Sequence, residues 1–366
     1  MMNAKNGASI QLRELTKTYG RSQQKAVDNV SLDIRPGEFM TFLGPSGSGK
    51  TTTLNMIAGF ADVTSGSIHI DDRNIVDLPP HQRNLGVVFQ QYALFPHMTV
   101  EQNIAFPLEQ RKLPKAQIRT LVAEVIERVH LNGLGARRPS ELSGGQQQRV
   151  AVARSIVFGP RVLLMDEPLG ALDKKLREKL QGELARMHRE LGLTIVFVTH
   201  DQHEALALSD RIAVFNNGRV EQVGTAEELY ETPSSLFVAD FVGDSTIIEG
   251  SYESAGCLRR PDGALIGAGR AESMPEGAEC SLIIRPERIR VQGEPGVLHQ
   301  GGPGLDAVVT DIVYFGEYRK VHVELRSGGS AVAKESAGDW SSVEVRSPVR
   351  ISWAVDHGVL VSGRAS

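Results

Sequence analysis

The sequence predicts a mainly parallel α/β domain over residues 1–240 and a smaller all-β domain over residues 241–366. Short apolar runs that suit buried strands alternate with helical patterns as far as about residue 240. Several of these runs end on a polar residue, which is typical of a site at the carboxyl ends of parallel strands. After Asp240 the pattern changes to glycine-rich turns and short alternating strands, which favour a small barrel or a sandwich.

The composition is that of an ordinary globular protein. The chain has 366 residues, of which 41% are hydrophobic and 23% charged, with a formal net charge of -4. This balance gives no overall basic field, so nucleic acid is not an expected partner. Cys257 and Cys280 show neither metal-binding spacing nor a disulfide pattern, and a reducing cytosol is the expected compartment. The sequence lacks both a long apolar run and a signal-peptide core, so we expect contact with a membrane to go through another protein.

The first strands of the α/β domain come before its main motif. Residues 9–16 and 27–34 alternate between apolar and polar side chains, as strands do. Tyr19 lies between them. An aromatic ring stacked on a nucleotide base contributes about 1–3 kcal/mol, which makes Tyr19 a candidate for binding a base. Taken alone, a tyrosine at this place is more often an ordinary surface or core residue.

A glycine-rich turn at residues 44–51 is the strongest single signal. It reads G-x-x-x-x-G-K-T between an apolar run and a helical pattern. Glycines let backbone N–H groups converge on phosphate oxygens, and the positive end of the new helix acts at the same point. In this pattern Lys50 reaches the terminal phosphates and Thr51 ligates a magnesium ion held by them. The predicted phosphate-binding residues are Gly44, Pro45, Ser46, Gly47, Ser48, Gly49, Lys50, Thr51 and Thr52.

Two acids follow the apolar run at residues 162–165. Asp166 is placed to hold magnesium, directly or through water. Glu167 is placed to accept a proton from a water that attacks the γ-phosphate. Two acids at a strand end also occur simply as the start of a loop, but the phosphate-binding turn upstream favours the functional interpretation.

Two more strands end on candidate site residues. The run at residues 85–89 is followed by Gln90, which either joins a magnesium shell or orients water, or faces solvent from a loop. The run at residues 194–199 is followed by His200, a candidate for contacting the γ-phosphate; a lone histidine there is more often structural. Between these runs, residues 115–131 and 174–191 have helical spacing.

A second anion-binding feature lies just before the acids. Residues 142–149 read Leu-Ser-Gly-Gly-Gln-Gln-Gln-Arg and open a helical pattern, so that Ser143, Gly144, Gly145 and Gln146 lie at a helix N-terminus. One bound nucleotide does not need two phosphate-binding features, residues 44–51 and residues 143–146, on the same chain. This surplus is the most informative irregularity in the sequence.

Residues 9–240 resemble the ATP-binding-cassette (ABC) ATPases of membrane transporters. A lone phosphate loop is weak evidence, whereas the ordered set of motifs here is very specific. In chain order the motifs are the aromatic loop at Tyr19, Walker A at residues 44–51, the Q-loop at Gln90, the signature at residues 142–146, Walker B at residues 162–166 with Glu167, the D-loop through Asp173 and the switch residue His200.

The resemblance implies a mechanism and a set of cofactors. It implies ATP and Mg²⁺, with Glu167, His200 and Gln90 catalytic, and with the metal at Thr51, Gln90 and Asp166. It also implies a head-to-tail homodimer in which the signature residues 143–146 of one chain cover the γ-phosphate bound by the other. The surplus cradle is then the lid of the partner's site.

The same resemblance implies partners and a location. Two integral-membrane permease subunits are expected to dock near residues 90–99, and an extracytoplasmic solute-binding protein is expected to act indirectly. The chain is then peripheral, at the cytoplasmic face of the inner (plasma) membrane. A soluble cassette protein acting on DNA or ribosomes would be expected to carry a second cassette or a long coiled-coil insertion, and neither is in the sequence. A non-hydrolytic regulator is disfavoured by the presence of both Glu167 and His200.

The C-terminal half resembles the transport-associated OB-like (TOBE) module of importer ATPases of the maltose, iron and polyamine group, on residues 284–289 and 311–316. The module implies import and a role in dimer contact or regulation. Residues 240–245 are similar to those of spermidine/putrescine importers, although relatives on this scaffold import ferric iron, sugars, phosphonates or thiosulfate. Gly170 stands in the D-loop where many relatives have serine; the missing hydroxyl either weakens cross-talk between the two sites or is tolerated.

Overall fold

The chain divides into an N-terminal unit, Met1–Ala226, and a C-terminal unit, Glu227–Ser366. The computed structural model describes residues 7–20, 24–170, 174–253, 256–271, 274–293 and 303–363. Asp173 of the D-loop therefore lies outside the described residues. In the part of the chain that is described, no helix combines the length and the apolar character that crossing a bilayer requires.

The N-terminal unit alternates strands and helices. Its elements are β1 (Ile10–Thr18), β2 (Lys25–Ile34), β3 (Phe39–Leu43), α1 (Lys50–Ala58), β4 (Ser65–Ile70), β5 (Arg73–Asn74), β6 (Gly86–Val88), α2 (Val100–Gln110), α3 (Lys115–Arg128), α4 (Gly144–Ile156), β7 (Val162–Asp166), α5 (Lys174–Leu191), β8 (Thr194–Thr199), α6 (Gln202–Leu208), β9 (Arg211–Asn216) and β10 (Arg219–Gly224).

A six-stranded sheet in the order β10-β9-β3-β8-β7-β6 positions the predicted site. Strands β9, β3, β8, β7 and β6 run parallel, and β10 is antiparallel to β9. Every residue of β3 and β8 is buried, as expected for parallel strands covered on both faces. The carboxyl ends of β3, β7 and β8 meet at one edge of the sheet. The prediction of a mainly parallel α/β domain is confirmed.

Side-chain alternation along the central strands separates two hydrophobic cores. Phe39, Met165 and Phe197 point to one face, where they pack with the apolar sides of α2, α3, α4 and α5. Met40 and Val198 point to the other face, where they pack with α1 and with β1, β2 and β4. Because successive residues of a strand face opposite sides, one short buried strand contributes side chains to both cores.

Two features of this unit were not predicted from the sequence. Strands β1, β2, β4 and β5 form a sheet of their own, in the order β2-β1-β4-β5, with antiparallel pairs. Helix α2 follows directly after the loop at residues 90–99. Its start carries a capping box, in which Thr99 accepts from the Gln102 N–H and Gln102 Oε1 accepts from the Thr99 N–H. This Thr-x-x-Gln pattern before an apolar stripe is a sequence signal that would have revealed the helix.

The prediction of an all-β C-terminal region is confirmed, but the two short helices that precede its strands were not predicted. The elements are α7 (Ala226–Glu231), which begins at the junction of the units, α8 (Leu236–Phe241), β11 (Thr246–Glu253), β12 (Cys257–Arg259), β13 (Leu265–Gly267), β14 (Arg270–Ala271), β15 (Glu279–Ile284), β16 (Arg290–Gln292), β17 (Gly304–Tyr314), β18 (Tyr318–Leu325), β19 (Ser330–Ser336), β20 (Pro348–Ser352) and β21 (Gly358–Ser362). Strands β11, β12, β13, β14, β15 and β21 form one sheet and β16 to β20 form a second, and a hydrophobic core lies between them.

Arg285, directly after β15, ties the short helices to the β-strands. Its side chain is buried, and its guanidinium donates to the carbonyl oxygens of Tyr230 and Ala239, each at 2.8 Å, and to Ser245 Oγ at 2.7 Å. The guanidinium also lies 4.1 Å from the centre of the Tyr230 ring. Burial lowers the pKa of Arg285, and the surrounding oxygen atoms offset the loss of its hydration.

We expect Arg285→Met to lower the free energy of unfolding of the C-terminal unit by about 2 kcal/mol, because the half-buried Tyr230 carbonyl loses its guanidinium donors and the buried Ala239 carbonyl is left with the hydrogen bond from Ser245 Oγ. Both tryptophans, Trp340 and Trp353, lie in this unit, so the tryptophan fluorescence of the full chain in urea reports its unfolding selectively. The control is Arg288→Met.

Arg288→Met is a suitable control because it removes an exposed ion pair, the one between Arg288 and Glu231. The Arg288 side chain is 39% exposed and pairs with Glu231, which is 37% exposed, so the loss should be below about 1 kcal/mol. Equal losses in the two variants would contradict the role given to Arg285.

Candidate functional site

The phosphate-binding turn needs glycine for two separate reasons. Helix α1 begins at Lys50, and its N-cap residue Gly49 has φ 102°, a left-handed conformation that side chains other than glycine rarely adopt. A Cβ added to Gly49 would lie 2.6 Å from the Ala26 carbonyl oxygen. A Cβ added to Gly44 would lie 2.3 Å from the Phe215 carbonyl oxygen. The backbone can follow this path only without side chains at these positions.

Lys50 lies inside the turn. Its Nζ donates to the carbonyl oxygens of Gly44 at 2.7 Å and Pro45 at 2.8 Å, and lies 3.4 Å from Ser48 Oγ. Burial lowers the pKa of Lys50, while the carboxylates of Glu167 and Asp166 act in the opposite direction. The positive charge is therefore held at the place where the sequence predicts a phosphate.

Asp166, the last residue of β7, faces the first turn of α1. Thr51 Oγ1 donates to Asp166 Oδ1 at 3.0 Å. Burial raises the pKa of Asp166, the hydrogen bond from Thr51 lowers it, and the neighbouring Glu167 carboxylate raises it. A hydroxyl and a carboxylate are hard oxygen ligands and fit Mg²⁺. The described residues contain no cluster of three or more His, Cys, Asp or Glu that would hold a metal.

Glu167 is the residue on which the other candidates converge. Gln90 Nε2 donates to Glu167 Oε2 at 3.2 Å, and His200 Nδ1 lies 3.3 Å from Glu167 Oε1. The Glu167 backbone has φ 42°, a strained value for a residue with a side chain, and its N–H donates to the Val198 carbonyl at 3.0 Å. The carboxylate is thus fixed by its own backbone and by side chains from two other turns. Its side chain is 22% exposed, so water can reach it.

Residues 143–146 lie at the N-terminus of α4. Ser143 is the N-cap; its Oγ accepts from the Gln146 N–H at 3.4 Å, and the Ser143 N–H donates to Gln146 Oε1 at 2.9 Å. Ser143 is exposed. Within the described ranges, no hydrogen bond or ion pair joins residues 143–146 to residues 44–51. The structure of one chain therefore groups Lys50, Thr51, Asp166, Glu167, Gln90 and His200, and leaves the signature residues outside that group.

Tyr19 and Thr52, two further predicted site residues, are not part of the group around Glu167. The Tyr19 side chain is 53% exposed, and Lys17 Nζ lies 4.9 Å from the centre of its ring. An exposed ring of this kind has a face open to a stacking partner. Thr52 is half-buried within α1. Like the rest of the predicted site, these assignments stay predictions.

Two residues that hold the loop at residues 90–99 were not predicted from the sequence. Arg154 of α4 donates to the carbonyl oxygens of Tyr92 and Ala93, each at 2.8 Å. Asn103 of α2 is fully buried, accepts from the Phe95 N–H and donates to the Phe95 carbonyl oxygen at 3.2 Å. A polar residue on the apolar stripe of a helix is the signal that points to such anchors.

Comparisons with known proteins show which families and solved structures this chain is similar to. The family model described as ABC transporter matches residues 27–170, and the model described as TOBE domain matches residues 282–361. The spermidine/putrescine import ATP-binding protein of Acidothermus cellulolyticus is 46% identical, over 95% of this chain and 93% of its own length. The protein of the same name from Thermobifida fusca is 44% identical, over 97% of this chain and 94% of its own. A solved dimeric ATP-binding cassette in a post-hydrolysis state with ADP and Pi is 36% identical, covers 59% of this chain and 98% of its own, and has a TM-score of 0.52.

We expect Gly49→Ala to lower the affinity for ATP by about tenfold, because moving the added Cβ away from the Ala26 carbonyl takes at least about 1.4 kcal/mol of rearrangement in the turn. Titration with ATP measures the effect. The control is Gly182→Ala on α5, where an added Cβ has no heavy atom within 4 Å. That change should leave affinity as it is and raise helix stability by about 0.5–1 kcal/mol. Unaltered affinity in Gly49→Ala would contradict the close-approach argument.

Proposed function

Because this chain belongs to the ABC transporter family, as an ATP-hydrolysing subunit, we propose that it drives the import of a polyamine, spermidine or putrescine. The observation that carries the catalytic part is the convergence of Gln90 and His200 on the two carboxylate oxygens of Glu167. The polyamine is supported by relatives that match nearly the whole chain and are named as spermidine/putrescine import ATP-binding proteins.

The phosphates of ATP enter the turn at residues 44–51, and Lys50 Nζ leaves the carbonyls of Gly44 and Pro45 to bind them. Glu167 accepts a proton from the water that attacks the γ-phosphate, while Gln90 and His200 hold the carboxylate in place. Thr51 and Asp166 would hold Mg²⁺, which neutralises charge on the β- and γ-phosphate oxygens when bound.

The site is completed by a second copy of the chain. In this proposal the N-terminus of α4, with Ser143, Gly144 and Gly145, covers the γ-phosphate bound by the partner. Support comes from the exposure of Ser143, from the absence of bonds between residues 143–146 and residues 44–51 among the described residues, and from the dimeric state of the solved cassette. ATP binding then closes the dimer and hydrolysis opens it.

The opening and closing of the dimer moves two integral-membrane permease subunits, which dock at residues 90–99. The chain is peripheral, at the cytoplasmic face of the inner (plasma) membrane, and an extracytoplasmic solute-binding protein delivers the solute to the permeases. The alternative is the same role in the import of ferric iron, a sugar, a phosphonate or thiosulfate. In this proposal the ATPase ends at residue 240, and the TOBE-type module comprises residues 241–366.

We expect Glu167→Gln to lower steady-state ATP turnover by about 10²–10⁴-fold, because the amide cannot accept the proton, and to leave ATP binding intact. Phosphate release measures turnover, and sedimentation with ATP and magnesium measures the dimer, which this variant should accumulate. Glu190→Gln, at an exposed position of α5, is the matched control. Unchanged turnover in Glu167→Gln would remove the general-base assignment.

We expect a strain lacking this chain to lose uptake of labelled spermidine or putrescine at low external concentration, and to regain it with the wild-type chain but not with Glu167→Gln. The same strain should take up ferric iron at the normal rate. A defect in iron uptake with normal polyamine uptake would show that the cargo is iron instead of a polyamine. It would leave the assignment of the chain as an importer ATPase unchanged. Capture of multi-spanning membrane subunits with the chain distinguishes a transporter from a soluble cassette protein.

A further inference from the structure

A buried carboxylate near the site has no part in the proposed reaction. The Glu204 side chain, in the first turn of α6, is 2% exposed. Thr199 Oγ1 donates to Glu204 Oε2 at 2.7 Å, and Arg177 Nε lies 3.6 Å from Glu204 Oε1. Thr199 is the residue directly before His200.

The residue on the other side of His200 is held by the same arginine. Arg177 Nη1 donates to Asp201 Oδ2 at 2.7 Å, and the Asp201 N–H donates to Thr199 Oγ1 at 3.0 Å. Asp201 Oδ1 also caps α6 by accepting from the N–H groups of His203 and Glu204. Both chain neighbours of His200 are therefore fixed, whereas its own side chain is 56% exposed and lies 3.3 Å from Glu167.

The presence of a buried ion pair at this position is not explained by stability alone. Replacing a buried ion pair with apolar side chains is often neutral or stabilising, so the fold alone does not require Glu204 and Arg177. An apolar pair, however, would supply neither an acceptor for the Thr199 hydroxyl nor a donor for the Asp201 carboxylate. These two bonds determine the path of the turn that carries His200.

We propose that Arg177 and Glu204 act as a positioning pair that holds His200 against Glu167 and connects this contact to the start of α5. The inference rests on the proposed roles of Glu167 and His200. Arg177 lies in the first turn of α5, and Glu204 lies in the first turn of α6, so the pair fixes two helices to one turn of the sheet edge. Neither residue is proposed to touch the nucleotide.

The chain contains a matched pair at the opposite edge of the sheet. Glu38 and Arg211 lie at the amino ends of β3 and β9, with Arg211 Nη1 3.2 Å from Glu38 Oε1. Their side chains are 5% and 24% exposed, against 2% for Glu204 and 28% for Arg177. Removing either carboxylate should have a similar effect on folding, but only one of the two pairs is next to His200.

We expect Glu204→Met and Arg177→Met, in the full-length chain, to lower kcat for ATP about tenfold and to leave KM for ATP within about twofold, because only the catalytic turn moves. Glu204→Gln keeps an acceptor for Thr199 and should recover part of the loss. Glu38→Met should keep the wild-type kcat while its melting temperature falls as in Glu204→Met. A wild-type kcat in Arg177→Met, or an equal loss of kcat in Glu38→Met, would overturn the proposal.

Combination with His200→Ala separates positioning from general damage. If the pair acts through His200, the double variant His200→Ala with Arg177→Met should turn over no more slowly than His200→Ala alone. If the double variant instead loses turnover by the product of the two single-variant factors, the positioning role is overturned and the proposed function stays intact. Normal turnover in His200→Ala alone would instead overturn the assignment of His200 under the proposed function, and this inference with it. Arg177→Met carries the test if Glu204→Met fails to fold, since Arg177 is partly exposed.

Discussion

The register of the parallel sheet is the constraint on which the site depends. Leu43 at the end of β3 pairs with Thr199 at the end of β8, and Asp166 at the end of β7 pairs with Val198. Three adjacent strands thus end level with one another, and the turns that follow them start side by side. Because the strands are buried on both faces, a shift of one residue would exchange their two apolar faces, so the register that fills both cores also aligns the site.

Partial burial sets the electrostatics at that point. Burial lowers the pKa of Lys50 and raises the pKa of Asp166, which means that both charged forms have lost hydration. The carbonyls of Gly44 and Pro45 and the hydroxyl of Thr51 replace part of the lost water. Charges held in this way interact more strongly with a phosphate or a cation than they would in bulk water.

Function in this protein is divided between regions that differ in how they are held. The phosphate-binding turn and Glu167 are fixed by backbone conformation and by the sheet. The loop at residues 90–99 is held by side chains from two helices, through Arg154 and Asn103. Tyr92 of the same loop is packed in the hydrophobic core, so the loop is tied to α2 and α4 at several points, which suits the part of the chain that is proposed to meet the permeases.

The sequence by itself determined the α/β and all-β halves, the phosphate-binding turn and the acids at the end of β7, because each of these is written in consecutive residues whose periodicity and glycine content have local causes. Only the tertiary structure decided that β1, β2, β4 and β5 form a separate sheet, that Gln90 and His200 meet at Glu167, and that Arg177 and Glu204 fix the turn around His200. These contacts join residues far apart in the chain, such as Gln90 and Glu167, and pairings of that kind depend on strand order and register, which a single sequence does not encode in any local pattern.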